Sequence, residues 1–294
     1  MHLVMTPQSR TAGLNHALFS VVLAMTTTTG TTAMDPEMPN GDSLLMDHHH
    51  DDDVQPQKVD SWHIADFGHV PEQSRDGSPH ATDEVFNAAS HLAATFLSIL
   101  GTVLLIVQST PNPWKIVSFS IYGASLIFLF GASTLHHALV GNVEEILRKL
   151  DYLAIYPLIA GTFTPPCLVF YHNSGIGWTF CMTVWGIAIL SMVTMSMYFH
   201  KIPRWLSMTT YITLGWFGAC MTYWLWPVLG PGGFFLFLIG GIFYTGGGYI
   251  FMTERPNPVP GKFGFHEIWH VAVILGALSH YCLMYFYVLP YEKK

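Results

Sequence analysis

Beyond residue 87 the chain alternates long apolar runs with short polar or proline- and glycine-rich breaks. Seven runs, over residues 88–107, 116–139, 152–171, 177–197, 206–226, 233–251 and 268–289, each approach the roughly 20 residues that a membrane-spanning helix needs. The breaks carry turn chemistry: Thr110-Pro111-Asn112-Pro113, Asn173-Ser174-Gly175, Lys201-Ile202-Pro203, Pro227 to Gly233, and Arg255-Pro256-Asn257-Pro258. The pattern predicts an all-α integral membrane bundle of seven transmembrane helices. Gly246-Gly247-Gly248 would weaken a soluble helix, but small residues in membrane helices let neighbours approach closely.

Residues 1–83 do not share this pattern. The stretch from Met1 to about Ser78 holds Thr26-Thr27-Thr28-Thr29, Met38-Pro39-Asn40-Gly41-Asp42 and His48-His49-His50-Asp51-Asp52-Asp53. Such a sequence buries too little apolar surface to offset its ordering entropy, so 1–83 is expected to be a disordered acidic cytoplasmic tail, with the membrane domain over 84–294. The apolar run 14–25 follows a single arginine and lacks a clear A-x-A cleavage site, which makes it a weak signal segment. The His/Asp tract is expected to be a solvated low-complexity run and not a dedicated metal site.

Composition agrees with a membrane chain. Hydrophobic residues make up 51% of the sequence, charged residues only 11%, and mean hydropathy is +0.37, whereas soluble domains carry about 25% charge. The net charge of −7 is unevenly placed: residues 1–84 hold 13 of the 19 acids with only Arg10, Lys58 and Arg75, and the remainder is net basic. With the N-terminus inside, cytoplasmic loops would hold Arg148, Lys149, Lys201, Arg204, Arg255 and Lys262, against Lys115, Lys293 and Lys294 outside. That asymmetry favours a cytoplasmic N-terminus and a C-terminus outside or in a lumen. Nothing in the sequence points to a nucleic-acid partner. Cys167, Cys181, Cys220 and Cys282 lie singly in four runs, without disulfide or thiolate-metal spacing.

The candidate chemistry is concentrated at one end of the runs. His266-Glu267-Ile268-Trp269-His270 opens the last run, and histidines four apart share a helix face, so the two imidazoles can meet one metal ion. The string also matches the HExxH pattern, in which the glutamate is the general base of a metalloprotease. Further ligands must come from other helices at the same depth. The second run ends at that level with Ser133 and His137, and the third begins there with Asp151. His137, His266 and His270 would complete a zinc set with one open position, where the pKa of a bound water falls towards ~7. Asp151 is placed to hold or deprotonate that water, and Ser133 to hydrogen-bond beside it. Each also has a plainer role open to it, Asp151 as a helix cap and Ser133 bonded back to its own helix.

These pieces resemble a known family, the haemolysin III proteins with the progestin and adipoQ receptors. The resemblance runs from Glu84 to the end through Glu84-x-x-Asn87-x-x-Ser90-His91, Ser133-x-x-x-His137, Leu150-Asp151-Tyr152, Ala160-Gly161-Thr162-Phe163-Thr164-Pro165, and His266-x-x-x-His270 with Gly276 and His280. It implies zinc on His137, His266 and His270, near the cytoplasmic side as in adiponectin receptors, with Asp151 and Ser133 beside the water. His136 stands where the family usually has Tyr or Phe; the family register selects His137 as the ligand. Because the family shares the histidine pair without a required glutamate, Glu267 is expected to be incidental. Glu84, Asn87 and His91 form a helical stripe suited to a polar contact between helices. His280, ten residues beyond His270 and so about 15 Å deeper, is expected to be structural.

Three functions stay open on the sequence. The first is a zinc-dependent hydrolase of a lipid amide such as a ceramide, coupled to receptor-type signalling. The second is a non-enzymatic receptor or lipid-homeostasis protein with structural zinc, its extracellular ligand unknown. The third is an intramembrane metalloprotease, resting on HExxH alone. Membrane lipids are the expected partners in the first two.

Overall fold

A computed structural model describes residues 62–65 and 74–292 of the chain. In order, they form β1 (His63–Ile64), α1 (Glu84–Ser109), α2 (Pro113–Ala138), β2 (Leu139–Val140), α3 (Glu144–Pro165), α4 (Gly175–Tyr198), α5 (Arg204–Trp216), α6 (Thr222–Thr253) and α7 (Phe265–Leu283). Single wider turns, Pro166–Phe170 and Met284–Val288, extend α3 and α7. The helices start where the sequence supplies caps. Asp83 accepts from the Phe86 N–H at 2.9 Å, and Asn112, followed by Pro113, accepts from the N–H groups of Trp114 and Lys115 at 3.0 and 3.2 Å.

Six of the helical stretches among the described residues are long and apolar enough to cross a membrane, and the chain is an integral multi-pass membrane protein. One of the six, Arg204–Thr253, is 50 residues long. A straight helix of that length would run about 75 Å, more than twice the roughly 30 Å hydrocarbon core. It is not straight. Gly230 adopts φ 63°, ψ −176°, a conformation open to glycine but not to an ordinary side chain, and it breaks the helix between Pro227 and Pro231. Arg204 at one end pairs with Glu254 at the other, and the Trp216 indole donates to Thr245 Oγ1 at 2.8 Å, so the chain doubles back at the break. The turn expected over 227–233 is thereby reduced to one glycine and its flanking prolines.

The helices carry polar as well as apolar side chains inside and mainly apolar ones outside. On α1, Asn87, His91, Ser98, Thr102 and Ser109 face the bundle, while Phe96, Leu100, Val103 and Val107 are exposed. Buried hydroxyls bond back to their own helices, as Thr102 does to the Ser98 carbonyl at 2.6 Å. Others stitch helices together: Trp185 donates to Thr164 at 3.0 Å and the Tyr281 hydroxyl to the Gly101 carbonyl at 3.1 Å. The sixteen-strong histidine content is therefore not a surface feature alone, since His91, His136, His137, His266, His270 and His280 are all buried.

The fold departs from expectation at the N-terminal boundary. Residues 74–83, assigned above to the disordered tail, pack onto the bundle, with Ser74, Ser78 and Thr82 buried. Residues 62–65 are joined to the end of α2 by a short antiparallel ladder, His63 opposite Val140 and Ile64 opposite Leu139. The physical reason is that Arg75 and Asp76 find partners on five helices, α1, α2, α3, α5 and α7, which a local reading of composition cannot register. The threonine run, the His/Asp tract and the 14–25 apolar run lie outside the described residues.

Close helix approach rests on small residues. A Cβ at Gly123 would collide with the Thr102 side chain, which is β-branched and already bonded to its own helix. At Gly131, on the same helix, a Cβ would meet nothing within 4 Å. Gly123→Ala is expected to lower stability by about 1–3 kcal/mol through overpacking. Gly131→Ala should leave it unchanged or raise it by up to about 1 kcal/mol. Thermal unfolding of the two variants in the same detergent checks the opposite signs.

Candidate metal centre

The end of α2 and the start of α7 bring three imidazoles together. His137, His266 and His270 are fully buried, with ring centroids 5.2, 4.8 and 5.0 Å apart for the pairs 137–266, 137–270 and 266–270. Each offers a ring nitrogen within 4.8 Å of the other two, so the cluster could hold a metal ion. The donor set fits that use. Glu84 Oε2 lies 2.6 Å from His137 Nδ1, and a carboxylate there fixes the tautomer with Nε2 bare. His137 Nε2, His266 Nδ1 and His270 Nδ1 are buried without a hydrogen-bond partner among the described residues. Unpaired buried nitrogens are costly, and a metal ion would satisfy them.

Asp151 and Ser133 reach the same place. Ser133 is buried one turn before His137, and its side chain hydrogen-bonds the Asp151 carboxylate. A carboxylate oxygen of Asp151 lies within 4.8 Å of ring nitrogens of both His136 and His137. Of the two adjacent histidines, His137 is the one that faces His266 and His270; His136 Nε2 instead lies 3.5 Å from Asp76 Oδ1.

Glu267 has a different occupation. Its Oε2 accepts from the Gly264 N–H at 2.7 Å at the start of its own helix. Its Oε1 accepts from the Asp83 N–H at 2.7 Å and the Asn87 side-chain amide at 3.2 Å. The carboxylate therefore latches α7 to α1 and is absent from the cavity beside the histidines. The polar stripe on α1 is likewise accounted for: Glu84 backs His137, Asn87 meets Glu267, and His91 stacks on His270 at 3.8 Å. His280 lies apart from the cluster, its Nε2 3.2 Å from the Phe237 carbonyl.

Sequence reasoning missed Asp76. It lies in a tight turn, where the Gly77 N–H donates to the Ser74 carbonyl at 3.0 Å and Gly77 takes φ 78°. Its Oδ2 is 3.3 Å from His266 Nδ1. Burial acts to raise its carboxyl, but the His136 contact and the facing imidazoles of His266, His136 and His137 outweigh that and hold it well below the usual carboxylate range. The Asp-Gly pair signals a turn in the sequence, though not where the turn docks.

A cavity of about 120 Å³ opens from this cluster. Asp76, His91, Ser133, Asp151, His266 and His270 line its polar end. Its walls then run along α3, α5, α6 and α7 and are mainly apolar, as far as Phe237 and His280. From His266 to His280 is 14 residues, or about 21 Å of helix.

If Glu267 is a latch, Glu267→Ala leaves the Gly264 and Asp83 N–H groups and the Asn87 amide without their acceptor. An unsatisfied buried group costs about 1–3 kcal/mol, so the thermal midpoint should fall clearly. The metal-to-protein ratio of the folded fraction should stay at the wild-type value. Thermal unfolding followed by metal analysis of the monodisperse protein checks both.

Comparison with known proteins agrees with the geometry. The Haemolysin-III related family model matches residues 80–281. Hemolysin-3 of Bacillus cereus is 34% identical over 211 residues, covering 71% of this chain and 93% of that protein. The Hemolysin-3 homolog of Bacillus subtilis (strain 168) is 34% identical over 208 residues, covering 70% and 94%. Heptahelical transmembrane protein 5 of Arabidopsis thaliana is 27% identical over 250 residues, covering 77% of this chain and 63% of the plant protein. The region matched by the family model contains α1 to α7 almost entire and all three clustered histidines, and the chain belongs to the haemolysin-III-related family.

Proposed function

We propose that this chain is a seven-span membrane hydrolase of a lipid amide, ceramide-like in its chemistry, working with zinc on His137, His266 and His270. The observation that carries this is the cluster of three buried imidazoles, two of which, His266 and His270, line the polar end of an otherwise apolar cavity together with the half-buried carboxylate of Asp151. Zinc is the ion that three-imidazole sites with an open position commonly hold, and it would supply Lewis acidity to the amide carbonyl. The break at Gly230 supports counting the 50-residue stretch as two spans, and hence seven in all.

The chain's own residues divide the rest of the work. The apolar walls contributed by Ile155, Ile159, Met208 and Val273 exclude water and suit an acyl chain, leaving its amide at the histidine end. Asp151 Oδ accepts the proton of the attacking water and returns it to the leaving amine. The Ser133 hydroxyl, by hydrogen-bonding Asp151, orients that carboxylate. Glu267, held by three donors, takes no part, which removes the support that HExxH lent to a protease. A receptor with a structural metal is the second reading. It draws support from the full burial of the three imidazoles, a trait of closed structural sites.

Three outcomes test the proposal. Alanine at His137, His266 or His270 should each strip most bound zinc, whereas alanine at His280 or His172 should not, measured by metal analysis of purified protein. Asp151→Asn should keep zinc and the fold yet lose about 10²–10⁴ in turnover of a ceramide-type amide, because an amide side chain cannot accept the proton. Zinc-loaded wild type without turnover of any lipid amide would move the assignment to the receptor reading.

Orientation follows the basic residues. Arg148, Lys149, Lys201, Arg204, Arg255 and Lys262 all flank the histidine end, which is accordingly proposed to be cytoplasmic, with the C-terminus outside or lumenal. Protease-sensitive tags at the two termini should report opposite sides of the membrane; a shared side would exclude seven spans.

A further inference from the structure

Outside the machinery just described, the segment Ser74–Ser78 crosses the histidine end of the bundle as a strap. Three arginines fasten it by backbone carbonyls. Arg75 Nη1 donates to the carbonyls of His136, His137 and Leu139 at 2.7, 3.1 and 3.2 Å, covering the last turn of α2, whose carbonyls have no partner within the helix. Arg204 Nη2 donates to the Asp76 carbonyl at 3.0 Å from α5, and Arg148 Nη1 to the Arg75 carbonyl at 3.5 Å from α3. The strap is thus pinned to three helices, and its one carboxylate is directed inward. Asp76 is almost wholly buried, with Oδ2 3.3 Å from His266 Nδ1 and Oδ1 3.5 Å from His136 Nε2.

The family match begins at residue 80, so the strap lies before it. We infer that Asp76 is a positioning residue of the metal centre, its carboxylate standing 3.3 Å from His266 Nδ1 and fixing by charge where that ring sits against the ion. Glu84 supports His137 from the other side, by a 2.6 Å hydrogen bond with Nδ1. The two carboxylates come from consecutive stretches of chain and serve ligands on different helices. A carboxylate beside a ligating imidazole orients the ring and raises its basicity. Asp76 also lies beside His136, which belongs to no ligand set with His266, so one side chain separates the spare histidine from the working one. The inference rests on the three-histidine reading above.

The test uses the full chain in lipid nanodiscs, with zinc affinity measured by chelator competition and ring geometry by the visible absorption of the cobalt-substituted protein. Losing a carboxylate behind a ligating histidine typically weakens metal binding about 10–100-fold. Asp76→Asn should show that loss together with an altered cobalt spectrum, and Asp76→Glu should recover part of the affinity. Asp83→Asn, which alters a neighbouring acid that caps α1 and faces no imidazole, should bind zinc as wild type does. Wild-type affinity in Asp76→Asn, or an equal loss in Asp83→Asn, overturns the inference. Should Asp76→Asn fail to fold, Arg75→Gln carries the test by unfastening the strap: zinc affinity below wild type supports the role, and unchanged affinity ends it. A wild-type protein without stoichiometric metal ends the three-histidine reading itself, whereas metal-loaded wild type with an indifferent Asp76→Asn ends only the inference.

Discussion

The structure depends on the pairing of buried carboxylates with polar side chains, imidazole among them, where four helices meet. A histidine in an apolar bundle cannot borrow hydrogen bonds from solvent, so each ring nitrogen must find a partner in the protein or in a bound ion. Glu84 on α1 meets His137 on α2, Glu267 on α7 meets Asn87 on α1, and Ser133 on α2 meets Asp151 on α3. Each of these contacts joins different helices. The polar cluster is therefore both the candidate chemistry and the knot that ties one end of the bundle, and three of its unpartnered nitrogens belong to the histidines that could hold a metal ion.

Away from that knot, packing takes over. Lipid is as apolar as leucine, so helices gain little by burying apolar faces and associate through close contact and interhelical hydrogen bonds. Gly123 against Thr102 and Gly161 against Ser125 bring α1, α2 and α3 together, and Gly240 and Gly276 accept the rings of His280 and Tyr244 between α6 and α7. On the side of α5 and α6 other glycines leave space. Gly215, Gly241 and Gly248 line the cavity, so small residues serve approach in one half of the bundle and open space in the other.

The dual nature of the carboxylates separates two otherwise similar residues. Glu267 and Asp151 both lie beside histidines, and a pattern search favours Glu267. Three donors saturate Glu267 and direct it to the backbone, while Asp151 keeps oxygen capacity toward the cavity and the α2 histidines. Availability of lone pairs decides between them, and proximity in sequence does not.

The sequence by itself determined the class of fold and the cast of the centre. Apolar runs of bilayer length cannot be anything but helices in lipid, because every backbone group must be satisfied within its own segment. Helical spacing puts Ser133 with His137 and His266 with His270 on shared faces, and turn positions set the depth at which His137, Asp151 and His266 fall. Only the tertiary structure decided which groups pair. It set His137 against His266 and His270 with His136 turned to Asp76, paired Glu84 with His137 and Glu267 with backbone donors, and folded a 50-residue stretch back at Gly230. It also drew Arg75 and Asp76 out of an acidic tail into the site. Those outcomes rest on partners 50 to 190 residues away in sequence, such as Asp76 with His266, and long-range pairing of single charges leaves no periodic trace in the segment that carries them.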